Sequence, residues 1–229
     1  GAGFIGSHLV ARLVDEGFTV SVVYDLTNGR REYLHPKARF YKTGINDRRL
    51  GIVFAAEKPD VVFHLAAHID ARVSVKDPVH DAEVNVHGSL RVLEQCLKHR
   101  VKRLIFSSSG GAIYHDTKKF PTPETEAPSP LTPYGVSKLA FEYYLETARH
   151  QYELSYAALR YANVYGPRQD QKGEGGVIGV FCKMLQEGKT PKIFGDGKQT
   201  RDFVYVGDVV DANMRALASA QSGTYHIGT

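Results

Sequence analysis

Tyr134 and Lys138 stand four residues apart in the run Pro133-Tyr134-Gly135-Val136-Ser137-Lys138, a spacing that puts a phenol and an ammonium on one face of a helix. A positive charge fixed beside a phenol favours the phenolate and lowers its pKa, so the pair could act as a general base near neutral pH. Ser107-Ser108-Ser109-Gly110-Gly111 offers hydroxyl donors followed by two residues without side chains, which leaves room for a ligand at the end of an expected strand. Gly1-Ala2-Gly3-Phe4-Ile5-Gly6 fits the G-x-G-x-x-G pattern and runs into an amphipathic helix over residues 7–16, with Leu9, Val10, Leu13 and Val14 on one side. A glycine loop feeding a helix is an anion site: the backbone can approach a pyrophosphate, whose charge is favoured by unpaired amides and the helix dipole. Asp25 ends the apolar run 19–24, roughly the ~20 residues past the glycines at which an acid meets an adenosine ribose. Each string alone also fits a plain turn or a solvated face; the chemistry rests on their joint presence.

These residues need a scaffold, and strands and helices alternate to supply one. Strands are expected at 19–24, 39–41, 60–65, 103–106 and 155–159, and helices at 7–16, 48–56, 78–99 and 134–151. The long helix carries Val79, Ala82, Val86, Leu90, Leu93 and Leu97 at helical spacing. Such alternation predicts an α/β fold, a doubly wound parallel sheet buried on both faces. Beyond Asn163 the pattern changes to a glycine-rich turn at Gly173-Glu174-Gly175-Gly176, a helix near 177–187, short strands around Ile193 and Phe203, and a helix over 208–218. A dinucleotide-binding domain is therefore assigned to 1–162 and part of a smaller substrate lobe, interleaved with the sheet, to 163–229. Five prolines over 121–133 predict an extended surface loop. A strand normally feeds the glycine loop and none precedes Gly1, so the first strand is expected to be missing, the chain truncated, and the sheet interrupted beside 19–24.

Composition bounds the function. A chain of 229 residues with 42% hydrophobic and 24% charged positions can bury a large core, which excludes disorder and collagen-like repeats. No window approaches the ~18 apolar residues of a membrane helix. Cys96 and Cys182, on expected helices among apolar neighbours, are read as buried reduced thiols, which fits the cytoplasm. A net charge of +4 without a long basic run argues against nucleic acid and suits an anionic small molecule. His64, His68, His80, His87 and His99 lack the tight spacing with carboxylates that a metal site needs, and His64 is expected to be a satisfied core histidine.

The motifs continue in order along the chain: Phe63-His64-Leu65-Ala66-Ala67, Asn85 with Gly88, Tyr114 after the serines, Arg160-Tyr161, Asn163-Val164-Tyr165-Gly166-Pro167-Arg168, Ile193-Phe194-Gly195-Asp196-Gly197 and Arg201-Asp202-Phe203. Together with the motifs above they resemble the extended short-chain dehydrogenase/reductase family, most closely its bacterial and archaeal UDP-glucose 4-epimerase branch. The resemblance implies NAD as cofactor, cradled by Gly1, Gly3, Phe4, Ile5 and Gly6, with Asp25 on the adenosine ribose, Ile45 at the adenine and Leu65, Ala66 and Ala67 lining the pocket. It implies Tyr134 as acid/base, Lys138 on the nicotinamide ribose, Ser109 on the sugar hydroxyl with Ser108 as the fallback, and Asn163, Val177 and Arg201 facing the substrate diphosphate. Asn85 either belongs to that machinery or ties strand to helix.

The implied reaction is inversion at C4 of a UDP-hexose through a 4-keto sugar. Related 4,6-dehydratases and decarboxylases place acids after the strand-end hydroxyl, where this chain has Gly110 and Gly111. Retention of Ser109, Tyr134 and Lys138 together argues against a non-catalytic relative. Gly44 stands where the family has an aspartate at the adenine, and His115 where it has glycine. A homodimer is implied through helices 78–99 and 134–151, with Phe141, Tyr144 and Leu145 adding surface. The chain taken literally is expected to bind NAD weakly and turn over little.

Overall fold

The computed structural model describes residues 1–115, 117–169 and 176–229. Helix α1 (Phe4–Asp15) leads to β1 (Ser21–Val23), β2 (Arg39–Tyr41), α2 (Arg49–Glu57) and β3 (Val61–His64). Then come α3 (Ala71–Lys76), α4 (Pro78–Asp81), a π-helical stretch (Ala82–His87), α5 (Gly88–Lys98), β4 (Arg103–Ser109) and α6 (Gly110–Ile113). The chain continues through α7 (Pro133–Tyr152), β5 (Ser155–Tyr161), β6 (Asn163–Tyr165), α8 (Gly176–Gln186), β7 (Phe203–Tyr205), α9 (Val206–Ala218) and β8 (Gly223–Ile227).

Every ladder is parallel, as the alternation predicts. The main sheet runs β3-β4-β5-β8, and β1-β2 and β6-β7 form separate pairs. β1 pairs with β2 in a two-stranded sheet of its own. Side chains alternate along β4 and β5, and both faces are apolar. Leu104, Phe106, Tyr156 and Ala158 meet Phe54 of α2, Val92 of α5 and Phe141 and Leu145 of α7. Ile105, Ala157 and Leu159 pack on Val209 and Ala216 of α9, while Leu9 and Leu13 of α1 join Val210 of α9. Because all strands point one way, their carboxyl ends deliver Leu65, Ser109 and Ala162 to one edge. Among the described residues, no helix is long and apolar enough to cross a membrane.

Local chemistry sets the two helices that flank the site. Asp77 accepts from the His80 amide at 3.0 Å and Pro78 takes the first helical position, which starts α4. Thr132 accepts from the Gly135 amide at 3.2 Å ahead of Pro133, which fixes the first turn of α7. Gly135 sits where a Cβ would collide with the Ala112 carbonyl oxygen, so its lack of a side chain lets α7 close on α6.

Several expectations are corrected. Ile193 lies in no strand: Ile193 and Phe194 are exposed, and the next glycines, Gly195 and Gly197, hold left-handed φ values of 79° and 74° that carry the segment away from any ladder. Cys182 is exposed rather than buried, because its side of α8 is uncovered; Cys96 is in the core, and both thiols are free. Phe141 and Leu145 are core residues packed on β4, so of the three residues proposed as dimer surface only Tyr144 is exposed. The helix expected over 78–99 contains the π-helical stretch. Of the glycine-rich turn, Gly173, Glu174 and Gly175 lie outside the described residues, and Gly176 begins α8.

Candidate active site

Ser109 closes β4 beside the Tyr134 phenol, whose ionisation its side chain favours. Lys138, one turn along α7 from Tyr134, donates to the Ser107 carbonyl at 2.8 Å and lies 4.7 Å from the Phe106 ring centroid and 5.7 Å from that of Tyr134. The Tyr134 amide donates to Ser74 Oγ at 3.2 Å, which ties α7 to α3. Ser108 points the other way, its hydroxyl donating to Glu142 at 2.5 Å in the core. Of the two serines, Ser109 is the one at the phenol.

The electrostatics correct one expectation. Burial pushes the Tyr134 phenol up to about 12, opposed by the Ser109 hydrogen bond and reinforced by the Asp81 charge. The ammonium does not reverse this, because Lys138 is turned to a backbone carbonyl. Lys138 is itself lowered to about 8 by burial, with Asp81 and Glu142 working against the fall. The cost of desolvating each charged form therefore dominates the pair.

A buried layer supports these groups, and its acids Glu142 and Asp81 did not stand out in the sequence. Glu142 continues the Tyr134–Lys138 face at the same four-residue interval, which was the available signal. It pairs with buried Arg160 of β5 at 2.5 Å, and Arg160 donates to the Tyr114 hydroxyl. That hydroxyl meets His226 Nε2 of β8 at 2.7 Å. Asp81, wholly buried, accepts from Ser137 Oγ at 2.7 Å and Asn85 Nδ2 at 2.8 Å. Asn85 also clamps His68 by its amide and its carbonyl, both at 2.9 Å, so it ties the loop holding Leu65, Ala66 and Ala67 to the π-helical stretch. His64 is buried against Phe106 and Phe141 with Nε2 at 2.8 Å from Ser89 Oγ, and burial, the larger cause, and Lys138 lower it to about 3. It is a neutral core histidine.

The glycine loop fits a dinucleotide. Gly3 is the N-cap of α1 and carries no side-chain cap, leaving the first-turn amides of Phe4 and Ile5 for an anion. A Cβ at Gly6 would lie 3.0 Å from the Gly1 nitrogen, so a side chain there would press on the backbone of the turn. Asp25, exposed just after β1, accepts from the Thr27 amide at 3.0 Å. Its other carboxylate oxygen is 3.8 Å from where a Gly44 Cβ would stand, so an aspartate at 44 would crowd like charge against it. Ile45 packs on the core cluster of α2 and α5.

Asn163 donates to the Asp202 carbonyl at 3.0 Å, next to Arg201, whose guanidinium donates to the Thr200 carbonyl. Val177 is exposed on the first turn of α8. The structure thus brings together Ser109, Tyr134 and Lys138, and separately Asn163 with the segment of Arg201; Val177 is carried on α8, which packs against the β6 strand of Asn163.

The sequence profile of the NAD dependent epimerase/dehydratase family matches residues 1–228. The UDP-glucose 4-epimerase of Mycolicibacterium smegmatis is 45% identical over 234 residues, covering 100% of this chain and 75% of that protein. The crystal structure of UDP-glucose 4-epimerase from Thermotoga maritima with UDP-glucose superposes with a TM-score of 0.98 at 48% identity, over 100% of this chain and 75% of that one. The Thermus thermophilus UDP-glucose 4-epimerase in complex with NAD gives a TM-score of 0.94 at 42% identity, again over 100% and 75%. This chain belongs to the NAD dependent epimerase/dehydratase family.

Proposed function

We propose that this chain is an NAD-dependent nucleotide-sugar epimerase that inverts C4 of a UDP-hexose, interconverting UDP-glucose and UDP-galactose through a transient 4-keto sugar. The observation that carries the reading is the placement of Tyr134 and the buried Lys138 one turn apart on α7, with Lys138 Nζ 5.7 Å from the Tyr134 ring centroid and bonded to the Ser107 carbonyl at the end of β4 beside Ser109. NAD, when bound, supplies the hydride acceptor and donor at the sugar carbon and a positive ring beside the phenol. Tyr134 takes the proton from the 4-hydroxyl and later returns it, and Ser109 orients that hydroxyl. Lys138 holds the nicotinamide ribose, Asp25 the adenosine ribose, and the amides after Gly3 the pyrophosphate, with Ile45 at the adenine and Leu65, Ala66 and Ala67 lining the pocket. Asn163, Val177 and Arg201, in the 163–229 lobe, hold the substrate diphosphate while the keto sugar turns over.

The subunit is proposed to pair through α4, α5 and the outer side of α7. In support, an open apolar groove of about 530 Å³ is lined by Pro78, Val79, Ala82, Val86 and Leu90. Two free thiols suit the cytoplasm. The test of function is incubation with NAD and UDP-glucose. Epimerisation yields UDP-galactose of unchanged mass with no net reduced cofactor, whereas loss of water or of carbon dioxide from a UDP-sugar would establish a dehydratase or decarboxylase instead.

A further inference from the structure

Between α2 and α5 lies a groove of about 210 Å³ whose walls include Arg48, Gly51, Arg91, Gln95 and Lys98. Three cations thus face one small space. Among the described residues, none of the three has an ion-pair partner or a side-chain hydrogen bond. The acids of the groove do not answer them. Asp47 is gripped by Arg49, with Nε 3.1 Å from one carboxylate oxygen and Nη2 2.6 Å from the other. Glu94, exposed on α5, accepts from Gln95 Nε2 at 3.5 Å. Positive charge is therefore in excess at a concave surface, which raises the local concentration of anions.

A second observation comes from α5 itself. Arg91, Gln95 and His99 recur every four residues, so they share one helical face. Each carries a buried polar atom without a hydrogen-bond partner: Arg91 Nε, Gln95 Oε1 and His99 Nε2. That face looks toward α2: a Cβ at Gly51 would stand 3.1 Å from Gln95 Oε1, and the His99 ring lies 6.0 Å from that of Phe54. Native proteins satisfy nearly all such atoms, so a row of them beside a cationic groove calls for a group that the chain does not supply. The groove turns away from the dinucleotide cleft. A Cβ at Gly44 would face Asp25 Oδ2 at 3.8 Å, whereas Ile45, which borders the groove, packs against Gly88 of α5.

We propose that this groove is a second anion site that takes a phosphate group, either inorganic phosphate or the phosphate of a small monoester. The planar Arg91 guanidinium suits paired oxygens of a tetrahedral oxyanion, and Arg48 and Lys98 add charge from α2 and α5. A space of this size admits a phosphate with a few waters, or a three-carbon ester, and excludes a dinucleotide. The proposal goes beyond the epimerase reading and does not depend on it.

The test is an amide NMR titration of the nitrogen-15 labelled protein with inorganic phosphate and, separately, with glycerol 3-phosphate. NAD and UDP are present in excess to occupy the cleft, and sodium chloride serves as the ionic-strength control. Saturable shifts of the Gly51, Arg91 and Gln95 amides are expected with the phosphates and not with chloride, and the tighter of the two identifies the source. Arg48→Met, Arg91→Met and Lys98→Met should each raise the midpoint about tenfold or more, the loss expected of one charge-assisted hydrogen bond. Glu94→Gln should lower it by removing the opposing charge. Midpoints unmoved in folded Arg48→Met and Lys98→Met, shifts that chloride reproduces, or shifts confined to the amides after Gly3 overturn the proposal. Should Arg91→Met fail to fold, the other two decide, because Arg48 and Lys98 are exposed. The amide shifts need no turnover, so a chain inactive on UDP-sugars would sink the functional reading and leave this result standing.

Discussion

At the scale of the residue, the structure separates two serines that the sequence left as alternatives. Ser109 meets the phenol, and Ser108 is committed to Glu142. Ser109→Ala is therefore expected to lower kcat toward the range lost by Tyr134→Phe, about 10²–10⁴-fold for a missing acid/base. Ser108→Ala should cost roughly 1 kcal/mol of stability by urea unfolding and little in kcat. The Tyr134 phenol, pushed up to about 12, is protonated at neutral pH in the protein alone. Positive charge brought beside it must lower that value, so addition of NAD at mildly alkaline pH should raise tyrosinate absorbance, and Tyr134→Phe should abolish the rise. Equal spectra with and without NAD would remove Tyr134 as the base. Position and type were legible here because a four-residue interval survives translation from sequence to helix. The direction of the phenol's pKa was not, because it depends on burial, and no local spacing reports how much water a fold excludes.

At the scale of the element, α7 carries Tyr134, Lys138 and Glu142 along one buried face, and each has a different energetic consequence. Glu142→Ala leaves Arg160 uncompensated in the core and should destabilise by roughly 3–5 kcal/mol, more than replacing Glu142 and Arg160 together by apolar residues. Lys138 works in the opposite sense. With its pKa lowered from 10.5 to about 8 in the folded chain, the unfolded chain binds more protons between those values, so this group makes stability rise with pH across that window. Thermal melts of the parent and Lys138→Met should accordingly show a gap that changes between pH 8 and 10.5 and is constant below it. The helices and parallel strands could be read because β4 and β5 are apolar on both faces and the helices keep strict periodicity. The π-helical stretch escaped because one extra residue per turn over Ala82–His87 barely alters an apolar spacing. Ile193 misled for the opposite reason: β-branched and aromatic neighbours resemble a strand wherever they occur, and only a partner strand makes one.

At the scale of the whole molecule, the outer face of α4, α5 and α7 presents apolar side chains to solvent. Val79 and Tyr143 are 68% and 63% exposed, and the groove between Pro78 and Leu90 is almost wholly apolar. Phe141 and Leu145 point into the core, so contact between subunits would fall instead on Val79, Tyr143 and Tyr144. A two-fold interface uses the same patch on both copies, and any substitution in it therefore acts twice. Val79→Glu would bring two carboxylates into an apolar contact and desolvate both, at a cost that a modest interface cannot absorb. The expected result by light scattering is a dimer for the parent and a monomer for Val79→Glu, with unchanged far-ultraviolet circular dichroism because Val79 contributes nothing to the core. Glu83, exposed in the same groove, provides the control: Glu83→Gln alters charge at the rim without adding a carboxylate and should leave the dimer intact. A parent that scatters as a monomer at high protein concentration would remove this face as a self-association surface, and with it the pairing of α4, α5 and α7 across a two-fold axis.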